Sequence, residues 1–309
     1  MRLALKIDVD TLRGTREGVP TLVEMLRKHN VTATFLFSLG PDHTGRAIKR
    51  VFRPGFVGKV RRTSVVKHYG IRTLLYGTLL PGPDIGRRAA DVMRGVRDAG
   101  HETGVHCWDH IRWQDGVIDA DDPWTYGEMR RACERYTEIM REPPRTHGAA
   151  GWQMNVHALR LTQRLGFDYC SDGRGTHPHL PIWKAEPIRC PQFPTTLPTL
   201  DELVGIGDVT EDNVAAHLLE RTREPTAPQV FTLHAELEGM RLAPQFEQLL
   251  IGWMAQGWTL GPVRSLFESV EPMALPRCST GPGSVPGRTG TLLVQGPEFL
   301  ADVDLARAA

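Results

Sequence analysis

No stretch of this chain approaches 18 consecutive apolar residues, and no two of its cysteines form a CxxC pair. The first absence excludes a spanning helix. The second, with five scattered cysteines (Cys107, Cys133, Cys170, Cys190, Cys278), argues against a disulfide framework and suits a reducing compartment. The N-terminal MRLALKIDVD has neither an apolar h-region nor a cleavage site, so no secretory signal is expected and a cytoplasmic enzyme is the default. No internal repeat is present. No phosphate-cradling glycine fingerprint follows the first apolar run, which weakens a dinucleotide-binding reading. The 309 residues are 40% hydrophobic and 24% charged with a net charge of +1. That balance excludes collagen-like, coiled-coil and largely disordered classes, and the length suffices for one barrel-sized domain.

Acidic residues are missing in one place. Between His43 and Pro83 there is no Asp or Glu, against nine cations: Arg46, Lys49, Arg50, Arg53, Lys59, Arg61, Arg62, Lys67 and Arg72. The segment carries +9 and leaves −8 on the rest of the chain. Such a local field attracts a polyanion, an anionic membrane or a phosphate-bearing substrate.

Elsewhere strands and helices alternate. Strands are expected at Leu3–Asp10, Val31–Ser38, Glu102–His106, Thr146–Gly151, Phe167–Ser171, Pro187–Phe193, Gln229–Glu236 and Trp258–Leu260. Between them, apolar positions at helical spacing (Val19, Leu22, Val23, Leu26; Ile85, Ala89, Val92, Met93, Val96) and the runs Trp124–Arg141, Asn155–Leu165, Asp212–Arg223 and Pro244–Gln256 predict helices. Repeated βα units imply an α/β fold with a parallel sheet closed or nearly closed into a barrel, an open doubly wound sheet being the alternative. Ten of the 26 residues from Pro272 to Pro297 are Gly or Pro, so residues 1–271 are expected to form the barrel domain and 272–309 an irregular or mobile tail.

The residues that carry chemistry fall at predicted strand ends, where barrels of this kind place catalytic groups. Asp8 and Asp10 share one face of the first strand. His106 and His110, spaced i and i+4, can meet one ion if the chain turns helically there. One carboxylate with these imidazoles makes a His₂-Asp site with open positions, and the other stands near enough to take a proton from water. Such an ion acidifies water and polarises a carbonyl, as amide hydrolysis requires. H-x-x-x-H alone is also compatible with ordinary core or surface histidines, and Asp-x-Asp with a turn cap. His234 ends another apolar strand, where it fits either a proton donor or a satisfied core histidine. Asp172 and Arg174 end a further one, fitting either orienting groups or a surface ion pair.

These motifs resemble the polysaccharide deacetylase (NodB-homology) superfamily of metal-dependent amidases, whose fold is a distorted (β/α) barrel. Ile7-Asp8-Val9-Asp10-Thr11 with Arg13-Gly14-Thr15-Arg16-Glu17-Gly18, Gly104-Val105-His106-Cys107-Trp108-Asp109-His110, Ser171-Asp172-Gly173-Arg174-Gly175, Thr195-Thr196-Leu197-Pro198-Thr199 and Leu233-His234-Ala235-Glu236-Leu237-Glu238-Gly239 are similar to one branch of it. That branch is the 4-deoxy-4-formamido-L-arabinose-phosphoundecaprenol deformylases of lipid A modification and polymyxin resistance. The resemblance implies Asp8 as catalytic base, Asp10, His106 and His110 as ligands of one divalent metal ion (Zn, Mn or Co), His234 as general acid, and Asp172 and Arg174 as supporting residues. Where the superfamily commonly has Arg-x-Pro, this chain has Ala149-Ala150-Gly151-Trp152, so the resemblance names no partner for Asp8.

The implied substrate is an undecaprenyl-phosphate-linked formamido-sugar on the cytoplasmic face of the inner membrane. The mixture of cations with Phe52, Phe56, Tyr69, Leu74, Leu75 and Leu79 then suits segment 43–83 to the inner-membrane surface, to a lid over the barrel mouth, or to both, and gives no reason to expect nucleic acid. Another polysaccharide or peptidoglycan deacetylase, and a catalytically inactive module binding anionic lipid, are the alternatives.

Overall fold

The computed structural model describes residues 1–47, 70–224 and 226–300. Most of the basic segment, including Lys49, Arg50, Arg53, Lys59, Arg61, Arg62 and Lys67, lies outside the described residues.

The first strand, β1 (Arg2–Val9), organises the molecule because it is buried on both faces. Leu3, Leu5, Ile7 and Val9 point one way, into a core shared with Leu22 and Leu26 of helix Val19–Lys28, Met93 and Val96 of helix Ala90–Asp98, and Phe246 and Leu250 of helix Ala243–Ala255. Each such side chain removed from water contributes about 1.5–3 kcal/mol. The alternate residues, Ala4, Lys6 and Asp8, point to the other face, where Ala4 meets Tyr169, Phe193 and Val230.

Parallel pairing builds the sheet outward from β1. On one side stands β8 (Gln229–His234), with Asp8 opposite His234; on the other, β2 (Thr34–Ser38) pairs along the C-terminal half of β1 and β9 (Thr259–Gly261) along its N-terminal end. The sheet continues through β3 (Glu102–Cys107), β4 (Thr146–His147) and β5 (Tyr169–Cys170), all parallel. The two-residue lengths of β4 and β5 make this half of the barrel the distorted one.

Between β5 and β8 no regular strand closes the barrel. The expected strand Pro187–Phe193 is instead a two-residue strand, β7 (Glu186–Pro187), paired to β6 (Leu180–Trp183), followed by irregular chain. Pro191 and Pro194 lack the N–H donors a ladder needs. The segment still bridges the gap: Phe193 N donates to Cys170 O at 2.7 Å, and Thr196 N to Val230 O at 3.0 Å.

The C-terminal residues depart from the expected irregular tail. β10 (Arg277–Gly283) and β11 (Leu292–Glu298) form an antiparallel hairpin, and β10 pairs in parallel with β6 to make a second, four-stranded sheet. Buried Leu292 and Leu293 anchor it, the latter against Ala149, Ala150 and Ile188. Glycine and proline content predicted a loop because apolar anchors so few in number leave no periodic signal. Among the described residues, no helix is long and apolar enough to cross a membrane.

Candidate metal centre and active site

Asp10 follows the last residue of β1, His106 lies late on β3, and His110 opens helix His110–Gly116. Asp109 caps that helix, accepting Arg112 N at 3.1 Å, and its other oxygen meets His43 Nδ1 at 2.6 Å. The cap holds His110 over His106, their rings 5.4 Å apart. Asp10 Oδ1 then stands 3.2 Å from His106 Nε2 and 3.4 Å from His110 Nε2. His106 Nδ1 donates to Gly148 O at 2.6 Å, which commits that nitrogen as the proton carrier and leaves Nε2 as the ligand atom.

Burial by itself would raise the Asp10 carboxyl, but His110, His106 and, further off, His234 hold it well below the usual carboxylate range. Burial likewise opposes charge on His106, while Asp8 and Asp10 more than offset it and raise the imidazole. Both shifts reflect the attraction between the buried carboxylates and the imidazoles beside them. Asp10 Oδ1 is buried without a hydrogen-bond donor, and the three side chains supply one carboxylate oxygen and two imidazole nitrogens within 4.8 Å of one another. This donor set fits a divalent ion of the Zn, Mn or Co kind.

Asp8 sits one turn of the pleat below. Its Oδ1 is buried with no hydrogen-bond partner, 3.9 Å from His106 Nδ1, and its Oδ2 lies 3.2 Å from Lys6 Nζ. Across the β1–β8 ladder, His234 meets the edge of Trp152 at 6.4 Å. Trp152 itself is fixed by its Nε1–H, donated to Thr195 Oγ1 at 3.1 Å, and carries Lys6, Arg174 and Arg288 over its ring. Arg288 arrives from the turn between β10 and β11, so the hairpin reaches the wall of the site.

Asp172 and Arg174 are not in contact with Asp8 or His234. One oxygen of Asp172 meets His147 Nδ1 at 2.6 Å and the other accepts Gln192 Nε2 at 2.8 Å. Arg174 is bound to Glu202 at 2.5 Å and to Leu197 O at 3.1 Å, and approaches the site only through Trp152. Among Trp108, Trp113 and Trp152, it is Trp152 that meets His234; Trp113 packs on His147 and Trp124, and Trp108 lies under Arg131 and Arg135.

Sequence reasoning missed two glutamates. Glu236 Oε1 accepts Asp10 N at 3.1 Å, Thr11 N at 2.8 Å and Thr11 Oγ1 at 2.8 Å, clamping the turn that carries Asp10. Burial, with Asp10 adding to it, pushes its carboxyl well up. Gly14 leaves room for this clamp, since a Cβ there would overlap the Glu236 carboxylate. Glu238 Oε2 accepts His234 N at 2.7 Å, and burial pushes its carboxyl up to about 8. Both stand just past β8 among Ala235, Leu237 and Gly239, a trace too slight in the sequence to assign either a role.

A parallel α/β barrel with a His₂-Asp centre at its strand ends defines a class of metal-dependent hydrolase, and the model of the polysaccharide deacetylase family matches residues 3–170. The chain belongs to the polysaccharide deacetylase family. It is 39% identical over 250 residues, 81% of this chain and 80% of the relative, to a probable 4-deoxy-4-formamido-L-arabinose-phosphoundecaprenol deformylase of Shewanella sediminis. It is 30% identical over 283 residues, 91% of this chain and 98% of the relative, to a protein of the same description from Wigglesworthia glossinidia brevipalpis. Its fold is similar to that of a putative polysaccharide deacetylase from Mycobacterium smegmatis, with a TM-score of 0.62, 17% identity, and 92% and 94% of the two chains covered.

Proposed function

We propose that the protein removes the formyl group from a lipid-linked 4-formamido-arabinose by hydrolysis, releasing formate and the free-amine sugar. The observation that carries the chemistry is the pairing of the Asp10–His106–His110 donor set with a second buried carboxylate, Asp8, whose Oδ1 has no hydrogen bond. The relatives' descriptions support the choice of formamide and of the lipid carrier.

Asp10, His106 and His110 would hold the ion, which when bound acidifies water and polarises the formyl oxygen. Asp8 takes the proton of the attacking water at Oδ1. His234, opposite Asp8 on the neighbouring strand, protonates the sugar nitrogen as the C–N bond breaks. Trp152 keeps bulk water from the side of His234. Asp172 and Arg174 serve at one remove, Asp172 by fixing His147 and Arg174 by backing Trp152. Formate release from undecaprenyl-phospho-formamido-arabinose should stop on chelation, return when metal is restored, and be lost in His106→Ala. Turnover of an N-acetylated glycan instead, with no formate released, would move the protein to the general deacetylases. Inertness toward both would leave the lipid-binding module.

With a lipid-linked substrate, the protein would work at the cytoplasmic face of the inner membrane, with segment 43–83 as the contact. Each cation near an anionic leaflet contributes about 1 kcal/mol. Its described C-terminal part, residues 70–83, carries Leu79, which is 80% exposed. Sedimentation with vesicles containing anionic lipid is the check. Binding that weakens with salt is expected, and equal binding to neutral vesicles would sink the electrostatic account.

A further inference from the structure

The middle of β1 holds a lysine with no access to solvent. Lys6 is 0% exposed, its Nζ makes no well-aligned hydrogen bond, and among the described residues Asp8 is the one carboxylate within ion-pair distance. Burying an ammonium is costly, and a methionine or leucine of similar volume is commonly as stable or more so in such a place. Packing confirms that the site is shaped around this side chain. Gly148 leaves it space, since a Cβ there would come within 2.9 Å of Lys6 Cε, and Trp152 presents its ring 5.3 Å from Nζ.

The strand's alternation puts Lys6, Asp8 and Asp10 in a column, with the cation below the carboxylates and the imidazoles above. Lys6 reaches up the strand to Asp8 Oδ2 at 3.2 Å. Oδ1 is left without a hydrogen bond, on the side of His106. The Ala149-Ala150-Gly151-Trp152 segment offers no cation that might do the same.

We propose that Lys6 is the positioning residue for Asp8. It holds Oδ2, fixes the plane of the carboxylate, and leaves Oδ1 as the oxygen that receives the proton. The base thus carries its orienting charge on its own strand, two residues away. This rests on the reading of Asp8 as base given above.

The test is formate release by metal-loaded Lys6→Met, Lys6→Arg, Asp8→Asn and the Lys6→Met/Asp8→Asn double variant, with metal per chain and melting temperature measured on each. Lys6→Met is expected to lower kcat about 10²-fold with KM changed less than about twofold. Its metal content should match the wild type, and its melting temperature should not fall. Lys6→Arg should recover at least about tenfold of the lost kcat. In the Asp8→Asn background, Lys6→Met should cost nothing further, because a residue acting only through Asp8 has nothing left to act on. Lys6→Gln, polar and uncharged, replaces Lys6→Met should the latter not fold. Normal kcat in the neutral variants, or a full additional loss in the double variant, would overturn the proposal alone. An active Asp8→Asn would overturn it together with the reading of Asp8 as base.

Discussion

Asp8→Asn is expected to keep its metal and lose kcat by about 10²–10⁴-fold, whereas Asp10→Asn is expected to lose the metal itself. The two aspartates are two residues apart on one face, yet their surroundings differ. Asp10 Oδ1 is held between two imidazole nitrogens at 3.2 and 3.4 Å, where a charged ligand neutralises the ion and fixes both rings. Removing that charge leaves two neutral imidazoles, a weak site for any divalent cation. Asp8 is nearest to Lys6, and its free oxygen is 3.9 Å from the ring nitrogen that His106 has already committed to Gly148. Metal analysis after gel filtration, alongside single-turnover formate release, separates the two roles. Loss of metal from Asp8→Asn would make it a ligand and reverse the assignment.

Glu238→Gln is expected to stabilise the protein increasingly as pH rises. In the folded chain Glu238 has its pKa pushed up to about 8 by burial, whereas an unfolded glutamate titrates near 4.3. Between these values the unfolded state has released the proton and the folded state has kept it. Wild-type stability from this group is therefore undiminished below about 4.3 and falls as pH climbs toward 8, by about 1.4 kcal/mol per pH unit across the window. Glutamine retains the acceptor for His234 N and has no proton to lose. Denaturant midpoints at pH 5, 6.5 and 8 should show the gap between variant and wild type widening at each step. A constant gap would mean that Glu238 is not the buried neutral acid described here.

The candidate metal ligands stood out by residue type and place: Asp10 and His106 sit at strand ends, and His110 follows His106 at i+4. Asp8, Asp10, His106 and His234 interrupt or end apolar runs, and strand periodicity alone puts the aspartates on one face. Lys6 had the same kind of signal, a lone cation inside Leu-Ala-Leu-Lys-Ile, but a charge in a strand reads as a solvent-facing position until both faces prove buried. Glu236 and Glu238 lie in a motif that assigns them no role, since their importance comes from backbone N–H groups that have no letter in the sequence. The irregular closure at 191–197 and the terminal hairpin escaped for a related reason. Proline and glycine report local conformational limits accurately, but they say nothing of backbone hydrogen bonds made to distant strands. Hence Arg288, which lies 4.1 Å from the Trp152 ring, looked like part of a tail.

The alternation of β1 has a consequence for quality control. A slip of one residue in its pairing would turn Leu5, Ile7 and Val9 into the barrel and expel Lys6, Asp8 and Asp10 into the oily layer beneath the helices. The same error that wrecks the core therefore dismantles the metal centre, with no half-correct state in which one survives. Metal uptake would accordingly serve as a checksum on strand register, since a chain paired out of frame would present no Asp10–His106–His110 set to load.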